Sequence, residues 1–206
     1  MKINIDPLFS TPVLISLDRY MLSKEETQTA ISFEMQSNAN GRGDSFANTI
    51  SKNKYVLNDL KFKNLKKWLQ KGVNSYVRDV MKYNQGDYYI TQSWITFTDK
   101  NQKHHRHNHW NSVLSGVFYF TDSDAKINFY SVYEPFIINP TVSEHNMFNS
   151  LTWSYPAEKG KLILFPSTIK HDVSTQQEEG TRISLAFNVW VKGKIGIYTE
   201  ANELEL

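Results

Sequence analysis

The sequence of 206 residues contains no cysteine. A disulfide-stapled scaffold, a thiolate nucleophile and a metal site with cysteine ligands are therefore excluded. The sequence also lacks an apolar run of about 18 residues, the length that a membrane-spanning helix needs. The first residues lack the apolar region of a secretory signal. We therefore expect a soluble, cytoplasmic protein with no membrane partner.

A strong charge of one sign is also absent. The chain has 23 lysines and arginines against 21 aspartates and glutamates, a formal net charge of +2. A field this weak gives no reason to expect nucleic acid as a partner. Aromatic residues, by contrast, are abundant, with 12 phenylalanines, 11 tyrosines and 5 tryptophans. Because such side chains contribute large burial free energies, the chain can form a sizeable core, and its length favours a single domain over residues 1–206.

The first part of the chain, about 1–86, has the pattern of helices. Ser23 followed by Glu26 matches a capping box, which predicts a helix over about 23–36. Apolar residues at three- and four-residue steps predict a second helix over about 60–83, with lysines outside the apolar stripe.

From residue 88 the hydrophobic period changes to two, which indicates strands. Strands are predicted at about 88–97, 113–120, 126–131, 151–155, 161–166, 170–174 and 182–191. Short strands separated by polar turns are typical of a sandwich or barrel, here over about 87–192. The irregular stretch of about 133–150, which contains Pro135 and Pro140, is predicted to be a long loop. The fold class is therefore α+β.

Four of the six histidines lie within six residues, at positions 104, 105, 107 and 109. Because residues i and i+2 of an extended segment share a face, either His105 with His107 or His107 with His109 can aim inward. A third imidazole, from His171 on a distant strand, would complete a ligand set for iron, manganese, nickel or zinc. His104 and His105 are expected to lie in a solvated loop. The alternative is that the whole histidine-rich stretch is such a loop.

Arg182 follows His171 by eleven residues and shares a strand face with Ser184. An arginine that points into a barrel is costly unless it pairs with an anion. The carboxylate of a small acid is a natural bidentate partner. The alternative is a structural salt bridge to one of the chain's own carboxylates.

Three sequence blocks carry a family resemblance. They are His107–Tyr119 (HNHWNSVLSGVFY), Gly160–Ser167 (GKLILFPS) with the later His171, and Arg182–Asn188 (RISLAFN). In order and spacing the blocks resemble an uncharacterised family of 2-oxoglutarate/iron(II) oxygenases that is common in phages and marine bacteria. The resemblance extends over nearly the whole chain. It implies a double-stranded β-helix (jelly roll, cupin-like), with N-terminal helices packed on one sheet and one Fe(II) in the mouth of the barrel.

The resemblance also implies roles for individual residues. His107 is the first iron ligand, His109 stands at the second ligand position, and His171 is the distal ligand. Arg182 would bind the distal carboxylate of 2-oxoglutarate, with Ser184 as a hydrogen-bonding helper. One further candidate for the same carboxylate is the hydroxyl of Tyr119.

The sequence departs from the larger oxygenase superfamily at His109, where that superfamily has Asp or Glu. Three options follow: a three-histidine site, a carboxylate that comes from elsewhere in the chain, or a site in which His109 is no ligand. Partners that fix the imidazole tautomers are also expected, since metal-ligating histidines normally have them. The candidates are Asn108, Asn111 and Asn188.

The function that the resemblance implies is a dioxygenase that hydroxylates an unidentified substrate and releases succinate and CO2. One alternative is a three-histidine cupin enzyme that does not use 2-oxoglutarate, in which Arg182 binds the substrate's own carboxylate. Another is a non-enzymatic jelly-roll binding or structural module, with an aromatic ligand platform of Trp110, Tyr130, Tyr133 and Trp153. The loops at about 133–150 and 40–55 are expected to cover the mouth. Jelly-roll oxygenases are often dimers, which leaves a homodimer open.

Overall fold

The computed structural model describes residues 1–38, 46–132 and 141–206. Tyr133, both prolines of the expected long loop and residues 39–45 lie outside this part of the chain. Within it, the main helices are α1 (Lys24–Ser32) and α2 (Lys63–Ser75), and a π-helical turn (Tyr76–Val80) continues α2. None of its helices is long and apolar enough to cross a bilayer.

Helix α1 begins with the capping box that the sequence predicts. The Ser23 hydroxyl accepts a hydrogen bond from the amide of Glu26, and the Glu26 carboxylate accepts one from the amide of Ser23. These two bonds satisfy amides that have no partner inside the helix. The helix ends four residues earlier than predicted because the chain turns into a strand.

The described residues form thirteen strands. The strands are β1 (Leu14–Ile15), β2 (Met35–Ser37), β3 (Thr49–Ser51), β4 (Asp87–Thr98), β5 (His104–His107), β6 (Leu114–Tyr119), β7 (Ser123–Tyr130), β8 (Thr152–Ala157), β9 (Leu162–Pro166), β10 (His171–Val173), β11 (Arg182–Lys192), β12 (Lys194–Ile195) and β13 (Leu204–Glu205). All seven predicted strands are present. The stretch that was predicted to be helical also contributes β1, β2 and β3.

Two antiparallel sheets build the core. In the described residues the larger has seven strands in the order β1-β9-β6-β11-β4-β3-β2, and the smaller has four in the order β5-β10-β7-β8. Strands β12 and β13 pair separately. An apolar cluster between the sheets joins Tyr119 and Phe165 of the larger sheet to Ile127 and Phe129 of the smaller one. This two-layer arrangement is that of a jelly roll.

Strand β11 presents a different environment on each face. Every second residue from Ile183 to Val189 packs into the cluster between the larger sheet and the helices. The alternate residues Arg182, Ser184 and Ala186 face the space between the two sheets, where a cavity lies. The period of two that predicts the strand therefore also delivers polar groups to the interior of the barrel.

Candidate metal centre and anion pocket

Three histidine side chains meet at one cavity. His107 ends β5 and His171 begins β10, and the antiparallel register places these two residues directly opposite each other. His109 follows β5, where its amide donates to the carbonyl of Ser167 over 3.0 Å. One ring nitrogen of each histidine lies within 4.8 Å of the ring nitrogens of the other two. Small side-chain rotations can therefore bring all three onto one divalent ion, at the metal–nitrogen distance of about 2 Å.

Backbone carbonyls fix the tautomers of two of these rings. His107 Nδ1 lies 2.8 Å from the carbonyl oxygen of His105, and His171 Nδ1 lies 3.0 Å from that of Ile169. A carbonyl oxygen can only accept a hydrogen bond, so Nδ1 carries the proton in both rings. The Nε2 atoms then keep the lone pairs that a metal needs.

The asparagines that were candidates for this role do not fill it. At these two Nδ1 atoms the described residues show backbone carbonyls in place of Asn108, Asn111 and Asn188. Asn188 instead accepts a hydrogen bond from the hydroxyl of Ser115 over 3.2 Å. A backbone carbonyl, which leaves no mark on the sequence, is the acceptor at both atoms.

Burial keeps the rings of His109 and His171 neutral. It lowers the pKa of His171 to about 3 and that of His109 to about 4, and the neighbouring His107 adds to both shifts. Neutral imidazoles have lone pairs available, so at neutral pH these two rings can accept a cation without losing protons first. Trp94 stacks on His109 with ring centroids 5.7 Å apart, a contact that the sequence analysis did not predict.

The donor set contains histidines alone. In the described residues no aspartate or glutamate joins the group of His107, His109 and His171. Of the three options for the second ligand position, the structure therefore favours the three-histidine site. A second group, of His104, His105 and His107, also has ring nitrogens within 4.8 Å of one another, but its members all lie on one strand.

The prediction of a solvated loop for His104 and His105 is wrong, because both residues belong to β5. His104 is half-buried and lines the cavity, and its ring stacks on that of His107 with centroids 4.4 Å apart. A bulge explains this: His107 pairs with His171 but His104 pairs with Val173, so three steps along β5 match two along β10. The extra residue brings His104 onto the face of His107.

The residues expected to bind 2-oxoglutarate lie in neighbouring register positions of the larger sheet. Ser184 on β11 pairs with Tyr119 on β6 and with Thr96 on β4, and Arg182 pairs with Thr98. Arg182, Ser184 and Tyr119 line the same cavity, of about 50 Å³, as the three histidines. The structure thus brings all six predicted site residues together.

Arg182 is buried in this cavity although two of its donor nitrogens lack a hydrogen-bond partner in the described part of the chain. Its side chain is only 2% exposed, and Nη2 donates to the hydroxyl of Thr98 over 2.8 Å. The buried Nε and Nη1 atoms have no hydrogen-bond partner, and Arg182 forms no ion pair within the described residues. Burial lowers the pKa of Arg182, while Tyr119 and Asp124 act in the opposite direction. The alternative of a structural salt bridge is therefore not what the structure contains.

Tyr119 is suited to act as a donor beside Arg182. Its side chain is buried, and this burial raises the pKa of Tyr119 to about 12, although Arg182 opposes the shift. The phenol therefore stays protonated at neutral pH, and its hydroxyl can donate to a carboxylate.

The proposed aromatic platform is only partly visible. Trp110 and Trp153 are exposed, by 81% and 42%. Tyr130 donates to Asp172 over 2.6 Å, and the guanidinium of Arg106 lies 3.3 Å above its ring. Tyr130 is thus engaged in contacts within the protein.

Together, the fold and the cavity define a double-stranded β-helix protein with a cluster of three histidines beside a buried arginine that has two unpaired donors. A family model described as "Putative 2OG-Fe(II) oxygenase" matches residues 92–188, which include all six predicted site residues. The match agrees with the predicted enzyme class and with its use of iron(II) and 2-oxoglutarate. Among curated proteins the chain has no match.

Several solved structures share the fold. HygX from Streptomyces hygroscopicus, solved with nickel, 2-oxoglutarate and hygromycin B bound, is 13% identical with a TM-score of 0.61, over 87% of this chain and 82% of that one. A prolyl-4-hydroxylase from Pseudomonas putida is 10% identical with a TM-score of 0.57, over 88% and 94%. A 2OG-Fe(II) oxygenase family oxidoreductase from Burkholderia pseudomallei is 10% identical with a TM-score of 0.58, over 86% and 83%. These similarities confirm the predicted jelly-roll fold.

Proposed function

We propose that this chain is a 2-oxoglutarate- and Fe(II)-dependent dioxygenase. The observation that carries the proposal is the pairing, in one cavity, of a three-histidine cluster with a buried arginine that has two unsatisfied donors. Either feature alone fits many proteins. A ligand that binds a metal at one end and a guanidinium at the other must carry an acidic group at each end, and 2-oxoglutarate has that chemistry.

The residues present fit such a ligand. Nε2 of His107 and of His171, with one ring nitrogen of His109, would hold Fe(II). When bound with 2-oxoglutarate and O2, the metal supplies the oxidising chemistry that converts the 2-oxo acid to succinate and CO2 and a substrate C–H to C–OH. Arg182 would bind the distal carboxylate through Nε and Nη1, with help from the hydroxyl of Ser184.

Charge also favours a dianion. Three neutral imidazoles leave the full +2 charge on a bound divalent ion, and Arg182 adds a third positive charge in the same buried cavity. A dianion offsets two of these three charges. The cavity walls strengthen this attraction, since Val117, Ile127 and Phe165 exclude water and keep the effective dielectric constant low.

The three-histidine donor set also fits a second candidate function, that of a cupin enzyme that does not use 2-oxoglutarate. In that case Arg182 would bind a carboxylate of the substrate itself. The sequence resemblance is to a family of phages and bacteria, which supports such an origin. The weak net charge and the lack of an apolar run or signal support a cytoplasmic location with no membrane or nucleic-acid partner, and a homodimer stays open. The substrate we propose is a small molecule or a side chain.

The test is to load the protein with Fe(II) without oxygen, titrate it with 2-oxoglutarate, and then admit O2 and measure succinate. We expect one metal per chain, 2-oxoglutarate binding that depends on the metal, and slow succinate formation. His107→Ala should lose all three properties, whereas Tyr198→Ala, at an exposed position outside the cavity lining, should keep them. Iron binding without 2-oxoglutarate binding would contradict the proposal. O2 consumption with another carboxylic acid would then favour the second candidate.

A further inference from the structure

A chain of hydrogen bonds connects Arg182 to His104 through three other side chains. Arg182 Nη2 donates to Thr98 Oγ1 over 2.8 Å, and Asn48 Nδ2 donates to the same oxygen over 3.3 Å. Asn38 Nδ2 donates to Asn48 Oδ1 over 2.9 Å and lies 3.3 Å from His104 Nε2. Arg182, Thr98, Asn48 and Asn38 are all buried. The chain begins and ends at residues that line the cavity.

The two asparagines flank two short strands at one edge of the larger sheet. Asn38 follows β2 and Asn48 precedes β3, and the amide of Asn38 donates to the carbonyl of Asn48 over 2.9 Å. Buried polar side chains stabilise a fold no better than apolar ones of the same size unless every group is paired. Here both hydrogens of the Asn38 amide are used, one for Asn48 and one for His104. Because both of these hydrogens are bonded, the side-chain amide of Asn38 has a fixed orientation.

His104 is oriented by this contact. An amide nitrogen can only donate, so His104 Nε2 accepts the bond from Asn38 and the ring proton lies on Nδ1. This Nδ1–H is the donor that remains for a ligand. The β5 bulge and the stacking on His107 hold the ring in the wall of the cavity, beside one of the predicted iron ligands.

We propose that His104 contacts the 2-oxo acid in this cavity, and that Asn38 and Asn48 are positioning residues that hold His104 and Arg182 at a fixed separation. This inference rests on the proposed function. It adds the side chain of His104 to the groups that the family resemblance assigns to binding of the 2-oxo acid. The two asparagines would act only through the groups that they orient.

Binding measurements with the Mn(II)-loaded protein test the role of His104. His104→Phe keeps a flat ring but removes both nitrogens, and it should weaken 2-oxoglutarate binding about tenfold, as expected for one lost hydrogen bond to a charged group. Mn(II) affinity should change less than about threefold, because that ring is no ligand of the proposed ion. Tyr198→Phe, at an exposed position outside the cavity lining, is the control and should bind 2-oxoglutarate like the wild type. Unchanged binding in His104→Phe, or in His104→Ala if the larger ring prevents folding, would overturn this role.

A comparison of two ligands tests the positioning role. Pyruvate is a 2-oxo acid without the distal carboxylate that Arg182 would hold. Asn48 reaches Arg182 through Thr98 but His104 only through Asn38, so Asn48→Ala should weaken 2-oxoglutarate binding about tenfold and pyruvate binding by less than about threefold. A general loss of structure would weaken both ligands equally, and that result, or no change in either, would overturn the role of Asn48. If the wild type with Mn(II) binds neither acid, the proposed function fails as well, whereas normal wild-type binding confines the failure to this inference.

Discussion

Replacing Arg182 by methionine should make the metal-free protein more stable while removing its affinity for 2-oxoglutarate. The reason is that the guanidinium is buried with two donors unpaired, which is unfavourable for folding unless a ligand supplies the acceptors. Methionine fills most of the same volume without a charge. Thr98 would lose the bond from Arg182 but would still accept one from Asn48.

The magnitudes follow from the contacts. Each unsatisfied buried donor costs about 1–3 kcal/mol, and a lost hydrogen bond such as that to Thr98 costs about 1 kcal/mol. Replacement of buried ionic groups by apolar residues is neutral or stabilises by about 1–4 kcal/mol, so we expect Arg182→Met to gain stability within that range. Two hydrogen bonds to a carboxylate are worth about 3–6 kcal/mol, so the Kd of 2-oxoglutarate should rise by about 10² to 10⁴.

Two measurements check this prediction: urea unfolding of the metal-free protein, and calorimetric titration of the Mn(II)-loaded protein with 2-oxoglutarate. Arg19→Met is the control, because Arg19 forms a solvent-exposed ion pair with Glu158 at 2.8 Å. Loss of such a pair changes stability by less than about 1 kcal/mol and should not affect binding. The reasoning is refuted if Arg182→Met is markedly less stable than the wild type and still binds 2-oxoglutarate.

Three further predictions concern the metal centre and the packing beneath it. His171→Ala should weaken Mn(II) binding at least about 100-fold, which a titration followed by electron paramagnetic resonance measures. Stoichiometric binding in this variant would contradict the assignment of His171 as a ligand. Gly116→Ala should destabilise the fold by about 1–3 kcal/mol in urea unfolding, because the new Cβ would lie 2.3 Å from Cζ of Phe187. Phe187→Leu in the Gly116→Ala background should restore part of the lost stability. Mn(II) should quench the fluorescence of Trp94, which stacks on His109, and equal quenching in Trp94→Phe would disprove this.

The face of β11 that carries the anion pocket could be predicted from the sequence. Arg182 and Ser184 alternate with apolar residues. Because side chains of a strand point alternately to its two faces, the two polar residues must lie on one face and the apolar residues on the other. The meeting of His107 with His171 could not be derived from periodicity, because it depends on which strands pair. The histidine spacing only allows that meeting and the family resemblance implies it, whereas the β5–β10 register supplies its geometry.

The position of His104 was predicted wrongly for a physical reason. In a regular strand, residues i and i+3 point to opposite faces, so His104 and His107 should not share a cavity. The β5 bulge reverses this rule locally. A bulge depends on the partner strand, and no local pattern in the sequence marks it. The same limit applies to Asn38 and Asn48, whose hydrogen bonds connect residues far apart in the chain and whose flanking strands are only three residues long.

The histidine at position 109 determines how strongly a bound metal should raise the affinity for the 2-oxo acid, and the reverse. With three neutral ligands, the bound ion keeps its charge of +2 and attracts a dianion more than an ion with a carboxylate ligand does. Thermodynamic linkage requires that 2-oxoglutarate raises the affinity for the metal by the factor by which the metal raises the affinity for 2-oxoglutarate. His109→Asp should bind Mn(II) more tightly on its own but should show a smaller factor, measured from Mn(II) titrations with and without saturating 2-oxoglutarate. An unchanged factor would mean that residue 109 lies outside the coordination sphere, and the second ligand would then have to come from another residue.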